Sequence, residues 1–172
     1  MRTIAEWLDA ARLHGSLGAA ALDWQARERG ADPSVPLALM RKRLHVMRES
    51  AQAGLSPMLR SVSGMVGGQA ALLSEAPFAA RFGLAGRAGV YALSIAEYNA
   101  CMGKIVAAPT AGSCGILPGA LLAAQELDGF SDDALVMALF AAAAIGHVIA
   151  LQATISGAEG GCQAECGTAA GM

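Results

Sequence analysis

The sequence predicts an all-α fold: a single domain of about eight helices joined by glycine-rich loops. Three observations carry that expectation. The chain has 172 residues, 55% of them apolar and 5% aromatic. Alanine supplies much of that apolar share, and alanine-rich sequence with few β-branched runs favours close-packed helices over sheets. Apolar residues recur at helical spacing over long stretches, and no segment alternates with period two. A chain of this length buries a sizeable core.

The spacing predicts helices over 3–14, 17–29, 35–54, 66–75, 86–105, 117–127 and 132–152, and from 162 onward. The first, in MRTIAEWLDAARLHG, is amphipathic and carries acids, so it lacks the unbroken apolar run of a signal peptide. In the third, Leu37, Leu39, Met40, Leu44, Met47 and Ala51 mark the apolar face, and Arg41, Lys42, Arg48 and Glu49 mark the wet one. Pro33 and Pro36 bracket its start and Gly54 its end. The helix over 86–105 contains Cys101 and Lys104 in an apolar run. Ser131-Asp132-Asp133 caps the helix at 132 and places acids in its first turn. That helix holds ALVMALFAAAAIGHVIAL, long enough to span a bilayer. Its alanine content, Gly146 and His147, and the lack of basic flanks favour a buried core helix instead. No membrane association and a cytoplasmic location are expected.

The net charge is −2 and the isoelectric point about 5.9. Nucleic acid is therefore not expected as a partner, because phosphate binding needs a basic surface. Three glycine-rich breaks punctuate the helices: SVSGMVGGQA (61–70), APTAGSCGILPGA (108–120) and ISGAEGGCQAECG (155–167). Glycine is used where the backbone turns tightly or approaches something closely. The second and third breaks also hold cysteines.

Four cysteines in a chain without secretory features point to metal or redox chemistry before disulfides. If a helix opens at 162, Cys162 and Cys166 share one face, one turn apart. That spacing suits two thiolates on one metal and suits a disulfide poorly. Cys114 follows Thr110-Ala111-Gly112-Ser113 in a loop. Structural zinc, an iron–sulfur cluster with one open iron and plain burial of free thiols all remain open on spacing alone. Cys101, inside its apolar helix, reads as a buried thiol.

MGKIVAAPTAGSCGILPGALLA (102–123), ISGAEGGCQAECGTAAGM (155–172) and SVSGMVGG (61–68), in this order and spacing, resemble the α chain of the iron–sulfur-dependent L-serine dehydratases. The resemblance covers essentially the whole chain. It implies a helical fold and a [4Fe–4S] cluster held by Cys114, Cys162 and Cys166, with the fourth iron left for substrate. It implies deamination of L-serine to pyruvate and ammonia, a β chain or domain as partner, and an oligomer. Family α chains continue past the GCQAEC motif, so residues 1–172 are expected to be a catalytic α-chain domain incomplete at its C-terminus. A related lyase acting on cysteine, or a non-catalytic zinc-binding helical subunit, are the alternatives.

The candidate catalytic residues near these motifs are Lys104, Ser113 and Glu159, with Glu165 beside them. Thr110, Gly112 and Ser113 are the candidate substrate-binding residues. Thr110 and Ser113 equally suit capping of the helix that starts near Ile116. Lys104 reads either as a snorkelling edge lysine or as a carboxylate-binding one. His147 reads as a core histidine satisfied by a neighbour, and His14 and His45 as surface residues.

Overall fold

In a computed structural model, the backbone of all 172 residues and every side chain but that of Phe78 are described. Among the described residues the regular structure is helical, with no strand. The helices are α1 (Ile4–His14), α2 (Leu17–Glu28), α3 (Ser34–Gly54), α4 (Gln69–Glu75), α5 (Pro77–Arg81), α6 (Gly83–Ala100), α7 (Ile116–Asp128), α8 (Asp132–Gln152) and α9 (Gly157–Gly171). The chain divides into two compact units, 1–44 with 131–172, and 45–130. The boundary falls inside α3.

The first unit is built on α8, which packs against α1, α2 and α9. Ser131 caps it, its Oγ accepting from Ala134 N–H at 3.2 Å. Leu135, Val136, Leu139, Phe140, Ala144 and Val148 are buried along it. By length and composition α8 is the one helix among the described residues long and apolar enough to cross a membrane. Here it packs as the core helix of its unit. Close approach of α2 is set by Gly18, where a Cβ would stand 2.3 Å from the Met137 carbonyl oxygen. Arg41, on α3, pairs with Asp133 at 2.7 Å.

The second unit is built on α6, packed by α7, α4 and α5. Gly115 and Gly119 let α7 lie against α6: a Cβ at Gly115 would stand 2.2 Å from the Ala92 carbonyl oxygen, and one at Gly119 2.8 Å from that of Ala88. Two glycines of the PTAGSCGILPG motif are thus packing glycines. Across the same pair of helices, Arg87 Nε and Tyr91 Oη both donate to Glu126 Oε2, at 2.7 and 2.6 Å. Burial pushes the Glu126 carboxyl up, but the Arg87 and Tyr91 hydrogen bonds outweigh it and hold the group below its ordinary range.

Several expectations are corrected. The helix expected over 86–105 stops at Ala100. Met102 takes the left-handed conformation at φ 63°, and Gly103 N–H closes back on the Tyr98 carbonyl at 2.8 Å. With Met102 N–H on the Asn99 carbonyl at 3.0 Å this is a Schellman closure with methionine in the glycine position. Gly103 is needed one residue later, where a Cβ would meet the Tyr98 ring. The helix expected from 66 begins at Gln69, because Gly67 and Gly68 hold φ values of 130° and 82°. On α3 the buried face runs through Pro36, Met40, Leu44, Met47 and Ala51, and Leu39 is exposed. The short α5 escapes prediction because five residues carry too little period to detect.

Candidate functional site

In the second unit, two of the three glycine-rich segments converge on the C-terminal end of α6. The 61–68 segment is held by Glu97, a carboxylate only 2% exposed. Its Oε1 and Oε2 accept from Gln69 N–H at 3.1 Å and Ala70 N–H at 3.0 Å, satisfying the first amides of α4. Arg60 Nη1 braces the same segment from within, donating to the carbonyls of Pro57 and Gly67 at 3.0 and 3.1 Å. Cys101, half-buried at the C-cap of α6, lies 4.0 Å from the Val66 carbonyl. The 102–115 segment is tied to the same helix end by Asn99, whose Nδ2 donates to the Ala111 carbonyl at 3.1 Å.

Thr110 Oγ1 and Ser113 Oγ lie 3.2 Å apart, and Ser113 also donates to the Ala108 carbonyl at 3.4 Å. Ser113 is buried and Thr110 half-buried. Neither caps α7, whose N-cap is Gly115 with no side-chain hydrogen bond, so the capping alternative is corrected. Gly112 is exposed at the turn between them. Cys114 is buried beneath, and burial pushes its thiol up from the ordinary range. Lys104 is exposed on the extended stretch after α6.

The third segment belongs to the first unit. Thr154 Oγ1 donates to Glu159 Oε2 at 2.6 Å and accepts from Ser156 N–H at 3.2 Å, which fixes the turn before α9. Gly161, at φ 70° and ψ −178°, interrupts α9, and the helix restarts at Cys162. Cys162 is exposed and Cys166, one turn on, half-buried. Glu165 lies along Gly157, where a Cβ would stand 2.7 Å from its Oε2. His147, on α8, is half-buried and meets the Trp24 ring in a tilted contact at 4.9 Å between centroids. His14 and His45 are exposed.

All four cysteines are free. The structure therefore brings Thr110, Gly112, Ser113 and Cys114 together on one loop, and Glu159, Cys162 and Cys166 together on one helix and its approach. Among the described residues no group of three or more histidine, cysteine or acidic side chains is gathered closely enough to hold a metal ion. Free thiols, two of them on one helical face, are nonetheless the donor set that iron–sulfur ligation uses.

Sequence reasoning missed Glu97 and Asn99. The signal was present: Val90, Ser94 and Glu97 follow helical spacing on one face, and all three are buried. A carboxylate on a buried stripe needs partners.

The family described as serine dehydratase alpha chain matches residues 23–172. The chain is 52% identical over 86 residues to the L-serine dehydratase alpha chain of Peptoniphilus asaccharolyticus, covering 50% of this chain and 30% of that one. It is 44% identical over 133 residues to a probable L-serine dehydratase alpha chain of Bacillus subtilis, covering 75% and 44%. It is 43% identical over 84 residues to L-serine dehydratase 1 of Escherichia coli K12, covering 48% and 18%. Each match thus spans less than half of the relative's own length. No solved structure matches. With 23–172 matched, the chain belongs to the serine dehydratase alpha chain family.

Proposed function

We propose that this chain is the catalytic α part of an L-serine dehydratase, converting L-serine to pyruvate and ammonia, and that it works with a β chain or domain. The observation that carries the reading is that Cys114, Cys162 and Cys166, all free, lie inside the region matched to the family. In this reading those three thiolates hold a [4Fe–4S] cluster. Such a cluster, when bound, supplies a Lewis acid that makes the β-hydroxyl a better leaving group.

The remaining work falls to the chain's own residues. The Thr110 and Ser113 hydroxyls, already paired, turn toward the substrate carboxylate, and exposed Gly112 leaves the backbone between them open to approach. Exposed Lys104 offers a cation to the same carboxylate. With Lys104 and Ser113 engaged on the carboxylate, the α-proton passes to Glu159, the group held ready because Thr154 fixes one carboxylate oxygen at 2.6 Å. As the Cα–H bond breaks, its electron pair forms the Cα–Cβ double bond, and the β-hydroxyl departs as water with the proton returned by the protonated base. The aminoacrylate product tautomerises to an imine, which a second water hydrolyses to pyruvate and ammonia.

The test is anaerobic reconstitution of the 172-residue chain with iron and sulfide. The expected result is the broad visible absorbance of a cluster, perturbed by L-serine. Cys114→Ala and Cys162→Ala should lose it, and Cys101→Ala should keep it. Loading of both variants like the parent, or zinc bound in place of iron, sinks the proposal. Pyruvate release from L-serine against L-cysteine, with the β part supplied, tests the substrate.

A further inference from the structure

We propose that the first unit carries a second small-molecule site, for a zwitterionic amino acid with an apolar side chain. The site is a cavity of about 290 Å³ between α1, α2 and α8, walled by Trp7, Trp24, Phe140 and His147. None of these residues belongs to the glycine-rich motifs, so this proposal stands or falls apart from the serine reading.

Three features define the ligand. Trp7 is 1% exposed, and its indole Nε1 is buried with no hydrogen-bond partner among the described residues. That N–H is sealed from solvent, so Trp7 serves the cavity as an apolar wall. The aromatic walls are fixed: Trp7 meets Trp24 edge-on at 5.4 Å and 75°, and Trp24 meets His147 at 4.9 Å and 48°. Such walls suit an alkyl side chain and offer ring faces to an ammonium group.

At the mouth stand Glu28 and Arg29, adjacent, exposed and of opposite sign. Neither makes an ion pair among the described residues. Glu28 ends α2, where the helix dipole also favours a cation. Opposite charges side by side at an apolar cavity match an ammonium and a carboxylate borne on one carbon. The volume lies at the small end of ligand pockets, room for an amino acid and not for a nucleotide.

The chain has two tryptophans, and both line this cavity, so its tryptophan fluorescence reports on the site directly. The experiment titrates the chain with L-leucine, N-acetyl-L-leucine and L-leucinamide, following emission and, by calorimetry, heat. L-Leucine should bind saturably, and each blocked derivative at least about tenfold more weakly. Glu28→Gln and Arg29→Gln, which keep both indoles, should each weaken L-leucine about tenfold, and Trp7→Phe about fivefold by calorimetry with unchanged helical circular dichroism. Absence of saturable binding by the folded chain overturns the proposal. So does equal binding of the blocked derivatives, or binding that ignores both charge substitutions.

Discussion

Glu97 shows how much one side chain organises. A single buried carboxylate accepts from two successive amides and thereby fixes the start of α4 and the glycine-rich segment before it. Glutamine in its place keeps one acceptor and turns an NH2 toward the other amide. Glu97→Gln is expected to cost about 1–3 kcal/mol, read as a lower urea midpoint with unchanged slope. No loss would mean the amides find other partners. The Glu126 carboxyl makes a pH-dependent prediction. Its folded pKa is depressed, so its contribution is present above the unfolded pKa and fades as pH falls through the folded one. Tyr91→Phe removes one donor and should cost under about 1 kcal/mol at neutral pH, since the pair is partly exposed. The gap between variant and parent should close in acid. A gap of constant size across that range would place the tyrosine's contribution in packing instead.

The helices teach a contrast between glycines. Gly115 sits where a Cβ would collide with α6 backbone, whereas Gly89, on α6, has nothing within 4 Å of the same position. Gly115→Ala should therefore destabilise by about 1–3 kcal/mol through overpacking, and Gly89→Ala should stabilise by up to about 1 kcal/mol through helix propensity. Thermal unfolding of the two variants should move in opposite directions, and parallel shifts would refute the close approach of α7. Helix existence was legible here, because period and caps are local: α8 begins and ends at the residues expected, and its Ser131 cap is present. The stop of α6 was not, because it turns on a left-handed Met102, and methionine does not advertise the conformation that glycine would.

Across the molecule, the two loops of one unit and the broken α9 of the other carry the family's motifs. Spacing and resemblance alone group Cys114, Cys162 and Cys166, and the structure leaves all of them as free thiols. The convergence of 61–68 and 102–115 on the end of α6 was not legible, because it runs through Glu97 and Asn99, residues that no motif contains. Glu97→Gln should loosen the 61–68 loop and Cys101 beside it. Hydrogen exchange should rise at Gln69 and Ala70. Protection unchanged there would show that the loop is held by other means.

Met102 is the odd member of its turn. A non-glycine residue in the left-handed region costs about 1–2 kcal/mol, and this side chain is 84% exposed, so packing returns little of it. Glycine's extra freedom in the unfolded chain would consume about 0.4–1 kcal/mol of any gain. The balance favours Met102→Gly by roughly 0.5 kcal/mol. The protein thus holds an untapped margin of thermal tolerance at a position that buries nothing. Calorimetric melting would measure it, and a lowered midpoint would mean that the thioether contributes more within the chain than its exposure suggests.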